Sequence, residues 1–258
     1  MNNSNQTKSM NNSNQTKPAS LRLIGDVHSK RERYLSLIQG AECSLQVGDL
    51  DIYGFDWMTT NGVNPEKHKF VGGNHDNYDV ISESPHYLGD YGVWSVPNFG
   101  DIFFVRGAWS IDFKRRTIGI DWWHDEELSY QKCEEAIELY AQIKPKILVT
   151  HACPTNIIRF VTGPDGARRF GYDQAIVKTK TDDMLQTMLT HHLPRLHVFG
   201  HYHQHFDRWI DGRCGIELPA DSPIDKETTE DYTRYVCLPE FGVFELESWS
   251  CNVDKSSN

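Results

Sequence analysis

The chain predicts an α/β fold that presents polar side chains at the C-terminal ends of buried strands. Three observations lead there. Five short apolar runs each end in a polar motif, namely Gly25-Asp26-Val27-His28, Gly48-Asp49, Gly73-Asn74-His75-Asp76, His151 and Gly200-His201-Tyr202-His203. An amphipathic helical segment separates the first two runs, which gives the order strand, helix, strand. The 258 residues, 38% of them hydrophobic, suffice for a sizeable core without disulfides or oligomerisation.

The elements follow in order. Residues 2–8 read NNSNQTK and residues 11–17 repeat them, so a disordered polar tail is predicted over 1–20. Residues 21–24 are the first strand. Ser29 and Glu32 then form an S-x-x-E capping box, Tyr34, Leu35 and Ile38 share one helix face, and Gly40 marks the stop. Strands over 43–47 and 69–71 lead into Gly48-Asp49 and Gly73-Asn74. From residue 90 the pattern turns to β, with strands at 93–96 and 102–105 about the turn Asn98-Phe99-Gly100-Asp101.

Residues 112–127 lack periodicity and read as an excursion over one end of the sheet. A helix from about Ser129 uses Cys133, Ala136, Ile137 and Tyr140 and ends before Pro145. The strand at 147–149 delivers His151. Residues 155–179 read as loop-rich, with Arg159, Arg168 and Arg169. A helix over 182–191 and a strand over 196–199 follow. Asp211-Gly212 signals a tight hairpin, and 235–238 with 242–246 form a final strand pair. The folded domain is expected over 21–248 with no internal boundary, and 249–258 as a frayed tail.

Composition sets limits on function. A formal net charge of -10 argues against the basic face that extended nucleic-acid binding needs. Six cysteines are scattered with no C-x-x-C pair, which fits reduced thiols in a cytoplasmic protein. No apolar stretch reaches membrane-spanning length, and the first twenty residues lack a signal-peptide core.

The five strand ends carry Asp26, His28, Asp49, Asn74, His151, His201 and His203. Taken singly, Asp26 and Asp49 read as helix caps, and His28 and His151 as core histidines. His201 and His203 alternate, so on a continuing strand they share a face. Together the mixed oxygen and nitrogen donors suit Mn, Fe or Zn better than Ca or Mg. Seven donors, with one carboxylate able to bridge, indicate two divalent ions about 3.5–4 Å apart.

In this order the motifs D-x-H, G-D, G-N-H-D, a lone His and G-H-x-H resemble those of the calcineurin-like metallophosphoesterase superfamily, over roughly residues 21–205 and on toward 246. The resemblance implies a four-layer α/β/β/α sandwich of two mixed sheets between helices, with a dinuclear metal site at strand ends. It implies that Asp26, His28, Asp49 and His203 hold one metal, and that Asp49, Asn74, His151 and His201 hold the other. His75 matches the family's catalytic histidine, acting on the leaving oxygen, and Asp76 the carboxylate that orients it. The implied reaction is phosphoester hydrolysis by a metal-bridging hydroxide, with manganese as the expected metal.

Two departures bear on substrate. Tyr53 stands where the protein phosphatases of this superfamily carry Arg in G-D-x-x-D-R-G, and Asp76 replaces their Glu. A small phosphodiester or phosphomonoester is therefore expected. A nuclease or RNA-end processing enzyme, a Ser/Thr-type protein phosphatase and a catalytically silent scaffold are the competing readings. Trp122, Trp123 and His124, in the excursion, are the expected substrate contacts. Lys114-Arg115-Arg116 and Arg168-Arg169 read by default as solvated charge.

Overall fold

A computed structural model describes residues 20–50, 56–172 and 178–247. The predicted tails up to residue 19 and from 249, and Tyr53, lie outside the described residues. The first half runs β1 (Ser20–Ile24), α1 (Arg31–Ile38), β2 (Cys43–Gln46), α2 (Asp56–Thr60), β3 (His68–Phe70), α3 (Tyr78–Ile81), β4 (Tyr91–Val96) and β5 (Gly100–Val105). Then come α4 (Tyr130–Ile143), β6 (Ile147–Thr150), α5 (Thr155–Thr162), α6 (Lys180–His191) and β7 (Leu196–Phe199). The chain closes with β8 (Phe206–Asp211), β9 (Ile216–Glu217), α7 (Lys226–Asp231), β10 (Thr233–Cys237) and β11 (Val243–Glu247).

Two mixed sheets result, ordered β11-β1-β2-β3 and β4-β5-β6-β7-β10-β8-β9. The period-two alternation of strand side chains decides what lies between and outside them. Leu21, Leu23, Leu45 and Val47 from the small sheet meet Ile102, Phe104, Ile147, Val149 and Val198 from the large one in a shared apolar layer. The alternate residues face outward. Ile24 and Phe70 pack under α1, α2 and α3 with Tyr34, Met58 and Ile81, while Phe103 and Leu148 pack under α4 and α6 with Ala136, Tyr140 and Leu185. Burial on both faces explains why the central strands read as unbroken apolar runs. The four layers are those that the motif order implied.

Local expectations hold unevenly. Helix α4 begins where expected, and Ser129 caps it by accepting from the Lys132 amide. Ser29 does not cap α1. The helix starts after Lys30 without a side-chain cap, because Ser29 adopts φ +63° and gives its amide to the Leu50 carbonyl (2.9 Å). The stretch after His151, expected as loop, opens with the helix α5. Its β-branched residues are weak helix formers, and burial of Ile157 and Ile158 against Leu189 and Phe199 supplies what propensity does not. The Asp211-Gly212 hairpin is wider than two residues, since β9 begins only at Ile216 and the Gly215 amide closes on the Asp211 carbonyl (2.7 Å). The final strands are not partners. β10 lies in the large sheet and β11 in the small one, so the link between them crosses the layers at the site. Cys43, Cys133, Cys153, Cys214 and Cys237 are all free thiols. No helix among the described residues is long and apolar enough to cross a membrane.

Asp182, buried in the first turn of α6, is an unusual acid. Burial, aided by Glu127 and Asp183 and opposed by a hydrogen bond with Thr179, pushes its carboxyl up to about 7. An unfolded aspartate titrates near 3.9, so the folded form holds the proton more tightly and stability falls as pH rises from about 4 to 7. Asp182→Asn carries no such charge. Its melting temperature relative to the parent chain is expected to rise steadily over that interval and then level off. A difference that stays constant between pH 4 and 8 would show that Asp182 is ionised in the folded protein throughout.

Candidate metal centre

Glycines clear the space for this site. A Cβ at Gly73 would overlap Asp49 Oδ1, one at Gly48 would overlap the His151 ring, and one at Gly200 would overlap Asp26 Oδ1. The polar side chains thus lie directly on the backbone of the neighbouring motif. Close approach also forces the backbone. His28, Asp49, His201 and His203 have φ of 47°, 57°, 66° and 52°, left-handed values that cost roughly 1–2 kcal/mol each outside glycine. Such strain persists where the surroundings overdetermine it, and it marks functional loops. For His201 and His203 it corrects the strand expectation, since β7 has already ended at Phe199.

Main-chain bonds tie the loops together. The Asp49 carbonyl accepts from the amides of Val27 (3.0 Å) and His28 (2.9 Å), and the Asp26 carbonyl accepts from Phe241 (2.9 Å). The His201 amide donates to the Asp26 carboxylate at 3.1 Å. His75 gives its amide to Asp49 Oδ1 (2.9 Å). Asp76 Oδ2 accepts from the amides of Asp49 (2.9 Å) and Gly73 (2.8 Å). These bonds of Asp76 hold the turn that carries His75.

All seven donors named from the sequence converge. Asp26 Oδ2 lies 3.0 Å from His203 Nε2, which is 3.1 Å from His28 Nε2. Asp49 Oδ2 lies 3.3 Å from His151 Nε2, and Asn74 Oδ1 lies 3.1 Å from His151 Nε2 and 2.9 Å from His201 Nδ1. Asp26, His28 and His203 form one group able to hold a metal, and Asp26, Asp49 and His151 a second.

Supporting bonds fix which atoms face inward. His151 Nδ1 donates to the Val47 carbonyl (2.9 Å), so its Nε2 is the donor atom presented to the site. Asn74 is oriented by a relay. Glu126 accepts from the Ser110 amide (3.0 Å) and hydroxyl, and Ser110 Oγ accepts from Asn74 Nδ2 (2.9 Å). The Asn74 oxygen is thereby turned toward His151 and His201. Ser110 and Glu126 escaped the sequence reading, as did the buried Gln46, whose side-chain oxygen accepts from the Gly48 amide (3.0 Å). So did Glu240, whose Oε1 lies 3.3 Å from His203 Nδ1. One signal did exist for Glu240, since it follows an apolar run as the other site residues do.

The electrostatics agree with a site built for cations. Burial would raise the Asp49 carboxyl, but His151, His75 and His28 hold it well below the usual carboxylate range. Burial opposes a charged His151, yet Asp49 and Asp26 push it up to about 9. The negative groups here draw a positive charge into a buried place. This donor chemistry, lone pairs aimed at shared points in two adjoining groups, fits a pair of transition metals.

A cavity of about 510 Å³ opens beside these groups, lined by Asp49, Asn74, His75 and His201 on one side and Trp109, Ile158 and Phe170 on another. Trp122, Trp123 and His124 are not in its wall. Trp123 is buried, and Trp122 packs on Phe113 and His124. Within the basic run Lys114 and Arg115 are exposed, while Arg116 turns inward to the cavity.

The profile of the calcineurin-like phosphoesterase family matches residues 20–205. That span is well over half the chain and contains all seven donors, and the chain belongs to this family. No curated protein matches it. Membership supports metal-dependent phosphoesterase chemistry in general, and the family depends on two metals.

Ser110→Ala removes the acceptor that orients Asn74. Affinity for manganese, measured by competition with a chelator, is expected to fall about 10–100-fold. Unchanged affinity would show that Asn74 is not held in place for a metal.

Proposed function

We propose that the protein is a dinuclear metal-dependent hydrolase of small phosphomonoesters or phosphodiesters, working in the cytoplasm. The observation that carries this reading is the convergence of seven polar side chains from five strand-end loops, which includes the buried Asp26 and Asp49. Asp26, His28, Asp49 and His203 would hold one metal. Asp49, Asn74, His151 and His201 would hold the other, with Asp49 bridging. The donor set suits manganese, with iron or zinc as alternatives. When bound, the metals supply Lewis acidity toward phosphoryl oxygens and a hydroxide near neutral pH.

The chain's own residues do the rest. His75 stands at the cavity wall with its ring 3.9 Å from Asp49 Oδ2, placed to stabilise or protonate the leaving oxygen. Asp76 serves His75 by holding the Gly73 amide that precedes it and the amide of Asp49, whose carboxylate accepts from the His75 amide. The cavity is large enough for a small organic phosphate, and its apolar wall excludes water from one side of the substrate.

Hydrolysis of p-nitrophenyl phosphate and bis(p-nitrophenyl) phosphate with manganese tests the reading. His75→Ala is expected to keep two metals per chain and lose about 10²–10⁴-fold in kcat. Metal loss in that variant would remove His75 from the catalytic role. Asp49→Asn is expected to lower occupancy at both positions, and full occupancy would end the bridging assignment. A protein that binds two metals and cleaves neither ester would be a scaffold on this fold.

A further inference from the structure

We propose that Arg116 binds the unesterified oxygens of the substrate's phosphoryl group, and that it makes the enzyme prefer phosphomonoesters to phosphodiesters. This rests on the phosphoesterase reading and deepens it.

Arg116 sits in the excursion after β5, just past a short 3-10 turn, and its side chain is 20% exposed. One edge of its guanidinium is locked. Nε donates to Asp112 Oδ1 (2.6 Å) and Nη2 to Asp112 Oδ2 (2.8 Å). A bidentate pair of this kind fixes the plane of the group. The outer edge then points at the candidate site, with Nη1 3.0 Å from His75 Nδ1 and Nη2 3.2 Å from His75 Nε2. Nη1 also lies 3.4 Å from the Asp121 carbonyl.

Donor and acceptor numbers show that this edge has capacity to spare. Arginine carries five N–H donors, of which Asp112 takes two. A neutral imidazole has a single acceptor nitrogen. His75 therefore accepts one bond from the outer edge at most, and the Asp121 carbonyl accepts one more at long range. At least one N–H remains to donate beside the catalytic histidine, in a cavity that Arg116 lines together with Asp49, Asn74 and His201.

A guanidinium held in that place matches a phosphoryl group, since a charge-assisted N–H of fixed direction meets an unesterified oxygen. It also separates substrate classes. A monoester has one more unesterified oxygen and one more negative charge than a diester. In a diester that oxygen carries carbon, which removes the charge the guanidinium would meet. Asp112 has the opposite sign to the substrate, but both its oxygens are engaged by Arg116, which makes it the positioning residue for the clamp.

The experiment compares Arg116→Ala and Arg116→Lys with the parent chain, each checked for metal content and melting temperature. One readout is kcat/KM on p-nitrophenyl phosphate and bis(p-nitrophenyl) phosphate, which share a leaving group. The other is calorimetric binding of inorganic phosphate and dimethyl phosphate, which needs no turnover. The parent is expected to prefer the monoester. Arg116→Ala should lose on the order of 100-fold on the monoester and under about fivefold on the diester. It should also bind inorganic phosphate at least about tenfold more weakly, with dimethyl phosphate unchanged, and Arg116→Lys should recover part of each loss. Equal losses on both esters would mean that Arg116 acts only by orienting His75. No loss, or no monoester preference in the parent, would make it an ordinary surface charge. Each of these results overturns the proposal and leaves the phosphoesterase reading standing. A metal-loaded parent that cleaves neither ester overturns that reading, and the proposal with it.

Discussion

Asp49 is the point on which the site depends. Its carbonyl holds the loop after β1, its amide is held by Asp76, and its carboxylate receives the His75 amide and faces His151. Strands from both sheets end at this one buried acid. A buried carboxylate without compensation is costly, and here the cost is offset by the amide and imidazole groups aimed at it. The left-handed backbone at Asp49 follows from this, because the turn must present carbonyl, amide and carboxylate to three different loops at once.

The glycines of the motifs are explained by the same crowding. Gly48, Gly73 and Gly200 are where one loop's functional side chain rests on another loop's main chain. A methyl group at any of them would push a donor away from the centre. The signature is therefore a packing pattern as well as a chemical one, and its spacing is set by where the strands end. The loops come from a scaffold whose strands are buried on both faces, so the positions of the donors inherit the rigidity of the double-sheet core.

Much of this was legible in the sequence. Apolar runs ending in D-x-H, G-D, G-N-H-D, His and G-H-x-H located the strands and brought all seven donors to one place. Other features depend on tertiary contacts and leave no local trace. Helix α5 has poor intrinsic propensity and exists because Ile157 and Ile158 find a core. The capping box at Ser29 is a sound local pattern that lost to a bond with Leu50. Glu126 lies in an aperiodic stretch and Ser110 just ahead of it, yet Ser110, held by Glu126, orients Asn74 across a separation of 36 residues. Lys114, Arg115 and Arg116 are alike as letters, and only the turn that pairs Arg116 with Asp112 tells them apart. Tryptophan chemistry alone does not locate a substrate contact, since Trp109 lines the cavity while Trp122 packs on Phe113 and Trp123 is buried.

The proposed pair of metals bridged by Asp49 is tested by anomalous diffraction from a crystal grown with manganese. Two peaks are expected, about 3.5–4 Å apart, both within bonding distance of the Asp49 carboxylate, one beside His28 and His203 and the other beside Asn74, His151 and His201. A single peak, or two peaks that do not share Asp49, would exclude a dinuclear centre bridged by Asp49.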